Sequence, residues 1–163
     1  HIIDPFPVVW LCVIHAVQPH SIEHYDVLKR EIRALDPHSY PGVNLCDMMV
    51  IFRSKAKELV SAGHYDPGLT RDILDKVAKT GGSADDPDVA SFREPILQAR
   101  RKLSKELLCI GALSAAESEE ALRLVNLDYL SVAKLITNEY NLLATTGHWA
   151  PAKSALSDSK LPP

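Results

Sequence analysis

The stretch from residue 40 to residue 63 has the clearest helical pattern in the chain and constrains the fold more than any other segment. Its apolar residues recur at offsets of three, four, seven, eleven and fourteen, the spacing that lines one face of an α-helix. Asn44 is placed to cap the start of this helix, and Gly63 supplies the left-handed residue that ends it. We therefore predict a central core helix, and its inner face consists of Leu45, Met48, Met49, Phe52, Ala56 and Leu59.

The remaining apolar stripes also have helical spacing, and none of them indicates a strand with any strength. Capping residues, prolines and glycines set their limits. The first two predicted helices run from Val8 to Gln18 and from Ser21 to about Leu35, and the second turns Ile22, Tyr25, Leu28 and Ile32 inward. After the central helix, further helices are predicted from Asp66 to Lys79, from Ser114 to about Val125 and from Asp128 to near Gly147. The main part of the longest helix is predicted from Pro95 to Gly111. The sequence thus predicts an all-α protein of six to seven helices.

Two proline-containing pairs, Asp36-Pro37 and Tyr40-Pro41, interrupt the helices early in the chain. Such punctuation is typical of a connection between two compact units. We therefore predict two small lobes: residues 1–37 end an N-terminal lobe, and residues 38–150 form a C-terminal helical lobe. Residues 151–163 have the Pro, Ser and Lys composition of a linker tail.

Composition restricts the classes of function. With 163 residues, 46% of them hydrophobic, the chain can bury one good core or two small ones, but not the core of a large enzyme. The formal net charge of -3 does not provide the overall basic field that sequence-independent nucleic-acid binding needs. The longest apolar run, Val8 to Val17, is too short to cross a bilayer, and no signal peptide opens the chain. We therefore expect a cytosolic protein without a membrane partner and, because residue 1 is His, a fragment or a processed product.

The three cysteines, Cys12, Cys46 and Cys109, are isolated in apolar or helical settings, which favours reduced core thiols over disulfides or a zinc site. A small thiol-dependent hydrolase using Cys46 or Cys109 is the alternative, although no nucleophile elbow or glycine-rich oxyanion loop accompanies either residue. His20 and His24 have the spacing of metal ligands, but the break between two helices falls there, so surface histidines are favoured. The residues therefore predict no catalytic, metal or cofactor site.

The densest basic patch lies in the long helix, where glutamates flank the arginines and lysines. Alternating charge of this kind favours a solvated helix face, and contact with RNA phosphates is the alternative. The residues that would face RNA are Arg93, Arg100, Arg101 and Lys105.

Four segments in a fixed order carry a family resemblance: YPGVNLCDMMVIFRSKAKELVSAGHYD, LTRDILDKVAKTGG, FREPILQARRKLSKELLCIG and LDYLSVAKLITNEYNLLATTGHWAPA, the last followed by a Pro-rich tail. In this order the chain resembles the Gag polyprotein of copia-type LTR retrotransposons, and it is most similar to the versions found in diatoms and other marine protists. The resemblance extends over nearly the whole chain, from FPVVW near the start to KLPP at the end.

The resemblance implies the capsid part of Gag, a structural protein that self-assembles into cytoplasmic virus-like particles enclosing the element's RNA. It places a dimer contact on the helix from Asp66 to Lys79. It also implies that RNA is bound mainly by a zinc knuckle downstream of Trp149-Ala150-Pro151-Ala152, a motif that this sequence does not contain, so no zinc is assigned. The alternative within the same resemblance is a domesticated, Gag-derived scaffold or adaptor that builds no particle. The residues that would form the self-association contact are Leu69, Ile73, Lys76 and Val77.

Overall fold

The computed structural model describes residues 22–80, 86–147 and 149, and these residues form six α-helices without a strand. The all-α prediction is therefore confirmed. The predicted helix over residues 8–18 and the linker tail over 151–163 lie outside the described residues. The helices are α1 (Ile22–Ala34), α2 (Leu45–Ser61), α3 (Pro67–Val77), α4 (Pro87–Ile110), α5 (Ala115–Leu124) and α6 (Tyr129–Thr145), and two short 3-10 turns, Pro37–Ser39 and Pro41–Val43, join α1 to α2.

Helix α2 is the central element, and both of its predicted ends are confirmed. The side-chain oxygen of Asn44 accepts hydrogen bonds from the backbone N–H groups of Cys46 and Asp47 at 3.0 and 3.4 Å. At the other end Gly63 has a φ of +73°, and the N–H of His64 donates to the carbonyl of Leu59 at 2.9 Å. This glycine-dependent cap satisfies carbonyl groups that the helix itself leaves unpaired. Every residue of the predicted inner face is at most 1% exposed: Leu45, Met48, Met49, Phe52, Ala56 and Leu59.

The remaining helices surround that inner face. Helix α2 packs on α6 and on α1, α3 packs on α4, and α4 also contacts α6. The start of α2 lies beside the end of α6, since Cys46 Sγ donates to Asn141 Oδ1 at 3.3 Å. At the opposite ends, the ring of Tyr65, just after α2, is 5.7 Å from the ring of Tyr129 at the start of α6, and the two helices are therefore antiparallel. This pairing brings the connection before α2 close to the residues that follow α6.

Helix α1 belongs to the same core as the later helices. Leu28 and Ile32 are 5% and 0% exposed and join one continuous apolar cluster with residues of α2 and α3. In the described part of the chain, residues before and after the predicted lobe boundary at residue 37 therefore share one cluster; residues 1–21 of the predicted N-terminal lobe lie outside the described residues, and the division into two lobes stays a prediction. The prolines at that boundary make 3-10 turns that redirect the chain over the surface of the same core. Ile22, predicted to face inward, is 74% exposed.

Helix α4 begins earlier than predicted. Asp86 caps it, Pro87 occupies its first turn, and Pro95 lies inside the helix rather than at its start. An interior proline removes one backbone hydrogen bond, so continuity must come from tertiary packing. Phe92 and Ile96, on either side of Pro95, are 2% and 0% exposed. Their burial holds both parts of the helix against the core.

Candidate functional site

The residues predicted for self-association lie on α3, and three of the four are in the core. Leu69, Ile73 and Val77 are each 0% exposed. The Lys76 ammonium donates to the carbonyl of Leu35 at 2.7 Å, and it also contacts the carbonyl of Arg33. The apolar stripe of α3 is thus covered by this chain's own helices, and the prediction of a contact surface there is corrected.

The four residues of the predicted RNA-facing patch on α4 differ in their surroundings: two bind other groups of this chain, and two are exposed. Arg93 donates from Nε and Nη2 to the carbonyl of Thr80, at 3.3 and 3.2 Å, and Arg100 forms an ion pair with Asp75 on α3. Both guanidinium groups therefore hold α4 to α3 and its following residues. Arg101 and Lys105 remain on the exposed side of α4.

Arg101 is itself close to an acidic group. Its Nη1 is 3.8 Å from Glu94 Oε1, and both side chains are more than half exposed. A pair of this kind is weak in water. The surface available to phosphates on this helix is therefore smaller, and less positive, than the four-residue patch that the sequence predicted.

The cysteines differ in their surroundings. Cys46 is partly buried, its thiol donates to Asn141, and burial together with the negative charge of Asp47 raises the pKa of the Cys46 thiol. A nucleophilic cysteine needs the opposite change, a lowered pKa. Cys109 is exposed, and Cys12 lies outside the described residues.

Of the two histidines with the spacing of metal ligands, His20 and His24, the structure describes only His24. Its Nε2 is 2.7 Å from Oε1 of Glu58 on α2, and its partner His20 lies outside the described residues. Within residues 22–80, 86–147 and 149, no group of three His, Cys, Asp or Glu side chains is arranged to hold a metal ion. The geometry of His24 corresponds to a contact between α1 and α2.

A carboxylate pair at the junction of α5 and α6 was not found by sequence reasoning. Asp128 is 3% exposed and caps α6, accepting from the N–H of Leu130 at 3.2 Å and from the Ser131 hydroxyl. Burial, and secondly the charge of Asp128, raise the pKa of Glu119 to about 7. The Oε2 atom of Glu119 is buried without a hydrogen-bond partner among the described groups. Such a group favours its neutral form in the folded protein.

An aromatic cluster closes the end of the fold where α6 stops. The Trp149 ring meets Tyr140 of α6 edge-to-face with ring centroids 5.0 Å apart, and it meets Phe92 of α4 in the same manner at 5.4 Å. Its indole N–H donates to the carbonyl of Gly42 at 3.1 Å. Trp149 therefore connects α4, α6 and the turn before α2.

A shallow groove of about 230 Å³ adjoins this aromatic cluster, between the first turns of α4 and the last turns of α6. Phe92, Leu142 and Leu143 provide its apolar side chains, and Asp88 and Glu139 provide its carboxylates. Leu142 is 65% exposed, so the apolar surface of the groove is open to solvent. Two polar side chains, Ser91 and Thr146, complete the lining.

Large aliphatic side chains are also exposed on separate helices. Exposed leucines and valines occur singly on most soluble proteins, so their exposure alone marks no site. Val50 on α2, Leu108 on α4, Leu124 on α5 and Leu142 on α6 are 64%, 87%, 75% and 65% exposed. These four side chains lie outside the core and on four different helices.

None of the helices in the described ranges is both long and apolar enough to cross a membrane. Comparison with known proteins gave no match among protein-family models, curated proteins or solved structures.

Proposed function

We propose that this chain is a structural, Gag-type capsid protein that associates with copies of itself through several small contacts. The observation that supports this proposal is the distribution of Val50, Leu108, Leu124 and Leu142 over four helices of one closed helical body. A shell is built by repeating modest contacts in several directions, so its subunit needs more than one contact surface. The Gag resemblance of the sequence points to the same role.

Burial of residues on α3 limits which side chains can contact another copy of the chain. Because α3 buries Leu69, Ile73 and Val77 within the subunit, contacts between copies would use side chains that the core does not need. Leu108 and Leu124 are the most exposed of these. Removing either side chain leaves the core intact, so a variant can separate association from folding.

RNA binding is assigned mainly to a module outside this sequence. Arg93 and Arg100 are engaged with Thr80 and Asp75, which leaves Arg101 and Lys105 as the exposed cations of the predicted patch. Two lysine or arginine contacts provide little phosphate affinity at physiological salt. The proposed particles would lie in the cytoplasm and would enclose RNA through that downstream module.

The test is electron microscopy of the purified chain at several protein and salt concentrations, with light scattering on the same samples. Closed shells, tubes or regular sheets are the expected result. The variants Leu108→Ser and Leu124→Ser should shift assembly to higher protein concentration while their circular dichroism stays unchanged. Ala116→Ser, at an exposed position of α5, is the matched control and should assemble like the parent chain.

A strictly monomeric or dimeric protein under all conditions, with or without added RNA, would contradict the capsid proposal. That result would favour the scaffold or adaptor alternative, in which the same helical body binds a protein partner. If both leucine variants assemble as well as the parent chain, the capsid proposal stands, but Leu108 and Leu124 are not its contact residues.

A further inference from the structure

The groove beside Trp149 has the features of a small peptide site. Phe92 and Leu143 form its base at 2% and 6% exposure, whereas Leu142 stands 65% exposed at its side. The charged groups in its lining, Asp88 and Glu139, are both acidic. Its surface therefore suits a segment that carries one apolar side chain close to a lysine or arginine.

Trp149 determines which segment of the chain starts beside this groove. Its ring packs on Phe92, a residue that also lines the groove, and its indole N–H is bound to the carbonyl of Gly42. Trp149 therefore lies beside a residue that lines the groove, and the segment after it is tethered there by the chain. A segment tethered there has a high effective concentration at the site, so weak contacts are enough to hold it.

The sequence that follows has the matching chemistry. Residues 150–163 read APAKSALSDSKLPP, with Lys153 three residues before Leu156. Leu156 is the seventh residue after Trp149, and a span of seven residues reaches at most about 23 Å, which is enough to return to a neighbouring groove. We propose that the α4/α6 groove binds this chain's own segment after Trp149, with Leu156 against Phe92 and Leu142 and with Lys153 beside the acidic rim.

This docking contact lies within one chain, so it does not require the association between copies that the capsid proposal describes. It would, however, cover Leu142, one of the four exposed aliphatic side chains. Displacing the segment would then expose that side chain to a partner. The two proposals can fail separately, since one is tested by assembly and the other by contacts inside a single chain.

The test uses the full chain and a zero-length carbodiimide cross-linker, which joins a lysine amine to a carboxylate that it touches. Equal amounts of unlabelled and ¹⁵N-labelled chains are mixed, and the products are identified by mass spectrometry. We expect Lys153 to be linked to Glu139 or Asp88 within one isotopic form. Leu142→Ser should reduce the yield of that link about tenfold, because the docked segment loses one buried leucine contact.

Val50→Ser is the matched control, since Val50 is as exposed as Leu142 but lies on α2, outside the groove. It should leave the yield unchanged. A second pair of variants lies in the segment itself: Leu156→Ser should reduce the link as strongly as Leu142→Ser, and Ser157→Ala should not.

Three results would overturn the inference. The link could be missing in the parent chain, it could survive Leu142→Ser and Leu156→Ser undiminished, or it could join chains of different isotopic label. The last result would identify the occupant of the groove as a second copy.

Discussion

The indole N–H of Trp149 donates a hydrogen bond to the carbonyl oxygen of Gly42 at 3.1 Å, across 107 residues of sequence. Gly42 has a φ of +64° inside the Pro41–Val43 turn, a conformation that glycine adopts without strain. The bond joins Trp149, which follows the end of α6, to the turn that precedes α2. It therefore connects the end of α6 to the start of α2.

Substitution of Trp149 should measure how much this bond and the aromatic contacts of the ring contribute to the free energy of unfolding. Trp149→Phe keeps an aromatic ring but loses the donor, and we expect it to lower the free energy of unfolding by about 1 kcal/mol. Trp149→Ala also loses the contacts with Phe92 and Tyr140 and should cost about 2–3 kcal/mol, since the ring is only partly buried. Urea unfolding followed by circular dichroism gives both values. Equal stability of Trp149→Ala and the parent chain would show that the aromatic cluster does not hold the fold together.

Core burial of α3 predicts a large difference between two aliphatic truncations. Ile73→Ala removes part of a side chain that is 0% exposed and should cost about 2–5 kcal/mol of unfolding free energy. Leu124→Ala, on a side chain 75% exposed, should change it by less than about 0.5 kcal/mol. Denaturant unfolding of the two variants under the same conditions tests the difference. A charged residue at Ile73 would unfold the subunit, so such a variant does not report on association between copies.

Glu119 predicts a loss of stability between about pH 4.5 and about pH 7. Burial and the charge of Asp128 raise the pKa of Glu119 to about 7 in the folded chain, from an ordinary value of 4.5, whereas Arg123 acts to lower it and Glu120 to raise it. The folded state therefore binds more protons than the unfolded state in this window, and stability falls as pH rises through it. Glu119→Gln should remove most of that fall and should be more stable than the parent chain at pH 8. Thermal unfolding over pH 4 to 8 measures the effect.

A matched control for this pH dependence lies in the same helix. Glu117 accepts from the Ser114 hydroxyl and from the Ser114 N–H, and these bonds lower the pKa of the Glu117 carboxyl. Its contribution to stability has the opposite sign, since it is present above the ordinary pKa and is lost as pH falls. Glu117→Gln should therefore leave the decline between pH 4.5 and pH 7 in place. Parallel pH profiles for the parent chain and Glu119→Gln would contradict the assignment to Glu119.

The cysteines should differ in their rates of alkylation. Cys109 is exposed, whereas Cys46 is partly buried, donates its S–H to Asn141, and has a raised thiol pKa. Because the thiolate is the reactive form, iodoacetamide at pH 7.5 should modify Cys109 well before Cys46, and urea should remove the difference. Peptide mass spectrometry follows both sites. Fast modification of Cys46 in the folded chain would reopen the thiol hydrolase alternative.

The helix ends show how far local interactions could be predicted. Asn44, Asp66 and Asp128 each cap the helix that the sequence assigned to them, because a capping side chain bonds to N–H groups only two or three residues away. The start of α4 shows the limit of the same reasoning. Pro95 marks a break by local rules, yet the burial of Phe92 and Ile96 carries the helix through it.

The candidate sites were harder to predict than the helices. An apolar stripe on α3 predicts that something covers it, but the spacing of Leu69, Ile73 and Val77 is the same whether the cover is another helix or another copy of the chain. The arginines of α4 likewise show no difference in sequence, although Arg100 meets Asp75 and Arg101 does not. Glu119 and Asp128 were missed because no motif relates them; their coupling depends on how α5 meets α6.

The sequence by itself determined the all-helical class, the inner face of α2 and the caps, because these depend on periodicity and on hydrogen bonds between near neighbours in the chain. Only the tertiary structure decided which stripes are covered, which charges are paired within the subunit, and that Trp149 returns to Gly42. Each of those outcomes depends on residues brought together by packing from distant parts of the chain, and amphipathic spacing records that a face is buried without recording its partner.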